Sequence, residues 1–480
     1  MTKIASLLDF TKGRVKDFAC GSILRKCDII SFCLLFLFFV DCSFSGGGKL
    51  LGIGSLSFRM AVAGGALVFA LPKFLLNIKK YLKNPILWIF LAFVLFMIFS
   101  AVRGYNLGNN ITVLVSDIKG FVWLFIVPVF IVAVDSKKRF EQMLNAVLIG
   151  AWLQAVFVIV VQFSCCFSTD AERFFYKMML NEQLGILDGI AENVFRVFMR
   201  SCPYLVAACV ILIFKQFRQD KLKWRYIVSI VVFLFSVLIT FTRSLYGCVA
   251  IVVAIVILVV CLFYRSRIKI FFKAIVCVAL VALSIVSVLE FMFDASYINF
   301  AISRTLGTPV KTSAVVVVKY KVKHMISQIL DSNDGGDTED YFFDDKIEEL
   351  QDYVNVTGES DNVRYITKTE LKELIAKNPI IGNGLGACSK TRNGPDEYFY
   401  YDMLARMGVI GLALYMAPFV YICVFVLRRR KFIKDNPLSI ALLCAMVGFW
   451  MVTWFNPWMN AVLGIAVYAL TATIPAIFCE

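Results

Sequence analysis

A single histidine, His324, serves all 480 residues, and charged side chains make up only 17% of the chain. One imidazole cannot supply a multi-histidine metal centre or a relay of proton carriers. No CxxC spacing appears among the cysteines, which removes the usual zinc and dithiol motifs, and no Asp-x-Asp pair stands out as a metal ligand. Acids are almost missing from the centres of the long apolar stretches. Ion-coupled carriers commonly place Asp, Glu or His near the bilayer midplane, so a transporter or lipid flippase is the weaker reading. No internal repeat is detectable either, and with it goes the sign of duplicated halves common in transporters.

Hydrophobicity is what the chain has in excess. It is 60% hydrophobic, holds 45 Phe and has a mean hydropathy of +0.78, against roughly 45 to 50% apolar residues in soluble domains. Lipid is therefore the expected solvent, and an ordinary soluble enzyme is excluded. Runs long enough to cross a hydrocarbon core, about 17 to 25 residues, recur at 28–45, 56–76, 85–102, 118–134, 144–167, 201–216, 226–242, 246–264, 270–290, 408–427, 437–455 and 459–479. These predict about 12 transmembrane helices in an all-α integral membrane protein. Arg59 and the pair Gly64 and Gly65 interrupt the second run, the least regular of the set. The first follows polar and basic residues and has no small-residue cleavage site behind it, so no cleaved signal peptide is expected.

Lys and Arg resist translocation and collect in cytoplasmic loops. Here Lys79, Lys80 and Lys83, then Lys137, Lys138 and Arg139, the stretch from Lys215 to Arg225, Arg265 with Arg267 and Lys269, and Arg428 to Lys431 fall on alternate loops. The N-terminal tail, 1–27, is basic as well, so both termini are expected in the cytoplasm. The formal net charge of +15 thus serves topology and contact with anionic lipid, and no nucleic-acid partner is implied. The fifteen cysteines lie mostly inside apolar runs, as small hydrophobes. Cys165, Cys166 and Cys388 fall on the outer side of this topology, which leaves one periplasmic bridge open.

The expected organisation is a tail, 1–27; helices 1–9 within 28–290, including an extracytoplasmic segment at 168–200; a large extracytoplasmic loop, 291–407; and three further helices in 408–480. Loops this long are usually functional or disordered. The loop holds 13 basic and 18 acidic residues, whereas the remainder holds 36 basic and 16 acidic, so it is a chemically separate domain. Within it Val318, Val322, Met325 and Ile329 recur at helical spacing beside Lys319, Lys321 and Lys323, fitting an amphipathic helix laid on the membrane or packed on its own domain. The acidic run from Asp331 to Asp352 lacks the spacing of an EF-hand and reads as a solvated face. The shorter segment 168–200 carries Phe174, Met178, Leu184 and Leu187 among charges and is expected in the interface.

The most informative stretch begins at Arg364. A helix patterned on Ile366, Leu371, Leu374 and Ile375 leads to Asn378-Pro379-Ile380-Ile381-Gly382-Asn383-Gly384, where Pro379 stops the helix and the glycines allow a tight turn. Pro395-Asp396-Glu397-Tyr398 follows, and Gly408 and Gly411 open the tenth span. In this arrangement, and in Leu238-Ile239-Thr240-Phe241-Thr242-Arg243-Ser244 between two spans and Phe195-Arg196-Val197 before the sixth, the chain resembles the O-antigen ligase and polymerase family of bacterial surface-polysaccharide enzymes. The likeness covers roughly residues 190–430, with Thr242 where that family usually has Ser.

The resemblance implies a C-type glycosyltransferase-like fold and transfer of a glycan from a polyprenyl diphosphate lipid to an acceptor hydroxyl on the outer face of the cytoplasmic membrane. Its ligand would be polyprenyl-diphosphate-linked oligosaccharide amid membrane lipids, with chain-length regulator and flippase proteins as candidate partners. Such a site must stabilise a departing diphosphate, a task suited to guanidinium groups. Arg243 is the leading candidate, because a charge between two apolar spans is costly without a partner; Arg196 or Arg200 and Arg364 would complete the cluster. A snorkelling interfacial arginine is the bland alternative for each. Counting back from Gly408, the ligase histidine falls on Glu397, with Tyr398 next to it among the substrate-binding candidates. Glu397 or Asp396 would then act as base or orient the acceptor sugar, unless they are plain surface acids. The replacement of histidine favours a polymerase over a ligase. Metal independence and no cofactor are expected, and a membrane scaffold is the reading without chemistry.

Overall fold

A computed structural model describes residues 2–46, 57–191, 194–293, 297–298, 301–302, 363–391 and 398–478. The segments expected around Val318 and from Asp331 to Asp352 lie outside the described residues, as do Asp396, Glu397 and His324.

The elements are α1 (Thr2–Phe44), α2 (Phe58–Leu76), α3 (Ile78–Tyr81), α4 (Pro85–Asn106), α5 (Ile111–Val122), α6 (Ile126–Ala133), α7 (Lys137–Phe167) and α8 (Thr169–Asn181). A hairpin of β1 (Gly185–Ala191) and β2 (Val194–Met199) precedes α9 (Pro203–Phe217), α10 (Trp224–Ile239), α11 (Arg243–Phe263) and α12 (Ile268–Phe293). Then come α13 (363–377), α14 (Phe399–Leu427), α15 (Arg430–Asp435), α16 (Pro437–Val452), α17 (Val462–Ala472) and α18 (Ile474–Phe478). Polar side chains start several of them: Asn84 accepts the Ile86 N–H ahead of Pro85 at the first turn of α4, Asn110 accepts from Thr112 and Val113, and Ser136 accepts from Arg139.

Among the described residues eight helical stretches are long and apolar enough to cross a membrane, and four apolar helices, Pro203–Phe217, Trp224–Ile239, Pro437–Val452 and Val462–Phe478, are shorter. Their outward faces are bare hydrocarbon: Leu67, Val68, Leu95, Leu258 and Leu280 are all exposed. A soluble surface rarely shows contiguous apolar patches beyond a few hundred Å², so the chain is an α-helical, multi-pass membrane protein. At its centre α9 is buried on nearly every side between α10 and α16, with α7 beside it. Tyr204 on α9 is fully buried, and its hydroxyl donates to the Leu463 carbonyl at 2.7 Å, pinning α9 to the start of α17.

Arg59, which made the second run irregular, does not prevent a helix. Its Nε lies 2.6 Å from the Asp41 carboxylate, and the guanidinium also donates to the Ser45 hydroxyl and the Gly46 carbonyl. A charge this buried, 2% exposed, is tolerable when paired and hydrogen-bonded. Several helices begin earlier than expected, among them α1 at Thr2 rather than 28, α7 at Lys137 rather than 144, α5 at Ile111 rather than 118, and α14 at Phe399 rather than 408. In the last of these Gly408 breaks the helix with φ +64°, so the predicted boundary is a kink instead of a start.

The basic loops that alternate in sequence meet at one end of the bundle. Lys73 lies 2.7 Å from both Asp28 and Asp135, Arg139 lies 2.6 Å from Asp28, Arg218 pairs with Glu141 and Arg267 with Asp220, and the Tyr264 hydroxyl donates to the Ile433 carbonyl.

The segment 168–200 departs from the all-helical expectation. After α8 it forms the antiparallel hairpin, with Asp188 opposite Arg196 and Leu187 opposite Val197. The alternation in Val-Phe-Arg-Val-Phe-Met is a two-residue period that buries Val197 and Met199 and turns Arg196 and Phe198 to the other face. Cys165 is a free thiol.

Candidate functional site at the non-basic end

At the end of the bundle opposite the basic loops, the hairpin and three interhelical turns converge. Strand parity sets Arg196 beside Phe198, with the guanidinium over that ring at 5.6 Å from its centre. Arg196 also pairs with Asp188 across the strands at 3.3 Å and donates from Nε to the Thr240 carbonyl at 3.3 Å. That last bond ties the hairpin to the turn between α10 and α11. In this turn Phe241 is fully buried with φ +43°, an uncommon conformation for an aromatic residue. Holding Phe241 inward places Thr242 as the N-cap of α11 and Arg243 as its first residue, with the Arg243 side chain exposed. Arg200 is exposed too, and its Cβ packs so closely over Gly46 that a Cβ added there would come within 2.8 Å.

The hub of the region is the connection 453–461 between α16 and α17. The Trp458 ring lies 6.4 Å from Phe198, Asn456 donates to the Ser244 hydroxyl at 3.4 Å, and Trp454 lies 5.0 Å from Tyr400 and 6.4 Å from Tyr401. Tyr398 stacks edge-on against Tyr401, 5.9 Å away, and Lys368 of α13 sits over the Tyr401 ring at 5.4 Å. Arg364, half-buried, is one helical turn before Lys368. The structure thus joins Arg196 directly to the turn that carries Arg243, and the aromatic contacts extend to Lys368, one turn along α13 from Arg364. The buried indole N–H groups of Trp450 and Trp458 and the Thr453 hydroxyl have no hydrogen-bond partner among the described residues. Buried donors usually find one.

The Pro379–Gly411 region is a packed structural joint. Asn383 caps α13 through a bond to the Leu374 carbonyl and accepts from the Asn378 side chain, both at 2.7 Å. Backbone bonds then run between the turn and the kink of α14: Asn383 N–H to the Ala405 carbonyl, Gly384 N–H to Arg406, Val409 N–H to Pro379 and Ile410 N–H to Ile380. Two glycines are required here. Gly384, at φ +86°, approaches Gly104 of α4 so closely that a Cβ would sit 2.4 Å from the Gly104 Cα, and a Cβ on Gly408 would meet the Ile380 carbonyl at 2.3 Å. Gly382 lies similarly against the Arg406 carbonyl, and Gly411 faces Met407 and Phe96.

Beneath this joint lies a buried ionic group that sequence reasoning missed. Arg406 is 2.9 Å from Asp117 of α5 and 3.4 Å from Asp402, and donates to the Ala387 carbonyl; Asp117 also accepts the Gly386 N–H at 2.9 Å. Asp402 and Arg406 are spaced four apart in a helix, a signal legible in the sequence, whereas Asp117 is far away along the chain.

Asp396 and Glu397 lie outside the described residues, and Thr391 is the last described residue before them. Thr391 donates from its N–H and hydroxyl to the two Glu370 oxygens at 3.0 and 2.9 Å. The Thr391 N–H is the first cause holding the Glu370 carboxyl below its ordinary value of 4.5. Because the folded value is the lower one, this clasp is complete above pH 4.5 and is lost as the pH falls through the depressed value. The protection of the Thr391 amide, its exchange rate compared with the intrinsic rate at the same pH, should therefore be present at neutral pH and be lost on acidification through that range, while Glu370→Ala should lack it throughout.

Among the described residues no group of three or more His, Cys, Asp or Glu side chains is placed to hold a metal ion. Set against models of protein families and against curated proteins, the chain matches none.

Proposed function

We propose that the protein is a membrane glycosyltransferase of the polysaccharide-polymerase type. It crosses the bacterial cytoplasmic membrane twelve times with both termini inside, in a C-type glycosyltransferase-like arrangement, and acts on polyprenyl-diphosphate-linked oligosaccharide repeat units at the outer face. The observation that carries this reading is the bond from Arg196 to the Thr240 carbonyl, which draws two arginines from distant parts of the chain to one end of the bundle, opposite the basic loops. Indole and hydroxyl donors at the same end, without partners among the described residues, suit an oxygen-rich ligand.

In the proposed reaction, the acceptor hydroxyl of one lipid-linked repeat attacks the anomeric carbon of a glycan on a second lipid. The new C–O bond forms as the bond from that carbon to the diphosphate breaks, and the polyprenyl diphosphate departs with the bonding pair. Arg243 and Arg196 hold the departing phosphate oxygens, with Arg200 and Arg364 further along the ligand, because a guanidinium stays charged and can grip phosphate with two parallel bonds. Glu397 or Asp396 takes the acceptor proton. Asp188, already paired with Arg196, orients that guanidinium without taking part.

Deletion of the gene in its native host tests the proposal. Surface glycan on a gel should lose its ladder and retain single repeats. A full ladder would contradict glycan transfer, and accumulation of long, unattached polymer would identify a ligase acting on a lipid or protein acceptor instead.

A further inference from the structure

A separate groove of about 620 Å³ opens at the basic end, lined by Trp152 of α7, Leu212 and Lys215 of α9, and Arg225, Tyr226, Val228 and Ser229 at the start of α10. Its lining is graded along the helix axes. Lys215, Arg225 and Tyr226 form a polar rim; Leu212 lies one turn deeper than Lys215, and Trp152 about 10 Å deeper than Asn145, to which Lys215 donates, at 1.5 Å per residue. The apolar side faces out of the bundle, with Trp152 37% and Val228 49% exposed.

The charges at the rim differ from those around them. Arg218 is neutralised by Glu141 and Arg267 by Asp220. Lys215 instead donates to the neutral Asn145 amide and Arg225 to the neutral Tyr226 hydroxyl, and among the described residues neither has a carboxylate partner. Two cations without a carboxylate ion pair among the described residues, over an apolar wall that faces the membrane, fit an anionic head with a hydrocarbon tail. A soluble anion would leave the Trp152 and Val228 wall unused, and a zwitterionic head would leave the two charges unbalanced.

We infer that this groove is a binding site for an anionic glycerophospholipid, its phosphate between Lys215 and Arg225 and an acyl chain along Trp152 and Val228. The site lies at the opposite end from the proposed transfer chemistry and does not depend on it.

The test is native mass spectrometry of the full chain released from nanodiscs holding equal phosphatidylglycerol and phosphatidylcholine with identical acyl chains. The wild type should retain phosphatidylglycerol in preference by on the order of thirtyfold, as expected for two cations at an anionic head. Lys215→Gln with Arg225→Gln should bring the two lipids near parity, whereas Arg267→Gln with Arg429→Gln, at the same end but outside the groove, should keep the preference. Inorganic phosphate should not displace the bound lipid. An unchanged preference in the first pair, an equal loss in both pairs, or displacement by inorganic phosphate would overturn the inference. Should the first pair fail to accumulate, thermal stability of the wild type in detergent decides: stabilisation by phosphatidylglycerol beyond that by phosphatidylcholine is expected, and equal shifts would overturn it.

Discussion

Arg243→Ala abolishes glycan transfer in the host while leaving the amount of protein in the membrane unchanged; that is the first expected result. Under the proposed chemistry the guanidinium meets charge that develops on the departing diphosphate, so its removal acts mainly on the transition state. Loss of one such preorganised donor costs about 10²- to 10³-fold in rate. Folding should be spared because the Arg243 side chain is exposed and because the turn is held by other groups, among them the buried Phe241 ring and the Arg196 bond to Thr240. Arg243→Lys keeps a charge but not the planar fork and should recover only a small part of the activity. The check is a glycan gel and a membrane immunoblot of the same cultures. A normal ladder from Arg243→Ala would remove this residue from the site, and loss of the protein itself would mean that its role is structural.

The second large effect concerns stability. Arg406→Ala strips the guanidinium from two carboxylates that are 7% and 1% exposed, Asp117 and Asp402, and frees the Ala387 carbonyl. Removing one partner of a buried ion pair typically costs about 3 to 5 kcal/mol, since the charge left behind has no water to turn to. Little or no folded protein should be recovered, or its midpoint of thermal unfolding in detergent should fall well below that of the wild type. Gly384→Ala should fail for an unrelated reason, the Cβ driven 2.4 Å from the Gly104 Cα in a left-handed backbone. An Arg406→Ala protein that unfolds at the wild-type temperature would show the ionic group to be dispensable.

Spans were the most legible part of the architecture, because an apolar run of the right length reports its solvent directly. Even Arg59, which interrupts one of them, left its helix intact, and the reason lies in Asp41, eighteen residues away, which no local pattern identifies. Boundaries were less legible where a charged residue interrupts a helix. The seven residues at the start of α5 include Asp117 and the nine before Gly408 include Asp402 and Arg406, and these helices meet the glycine joint, where Asp117 accepts the Gly386 N–H and the Ala405 and Arg406 carbonyls accept from Asn383 and Gly384. The hairpin was readable in principle from the alternation around Arg196, but the six residues of its second strand sit in a segment whose mixture of apolar and charged residues read as interfacial. The glycines after Pro379 read as a tight turn, and Gly382 and Gly384 have positive φ there. The partners across that joint, Asp117, Gly104 and Ser100, come from α4 and α5, more than 260 residues earlier, and could only be found in three dimensions. The same holds for the aromatic connection 453–461, which looked from the sequence like a simple gap between two spans.

The most direct test is a reconstituted reaction: purified protein in liposomes, supplied with a polyprenyl-diphosphate-linked repeat unit, assayed for longer glycan and for released polyprenyl diphosphate. The account predicts a ladder of polymer with one polyprenyl diphosphate released per bond formed, both absent with Arg243→Ala. Intact substrate, with neither ladder nor released diphosphate, would contradict it.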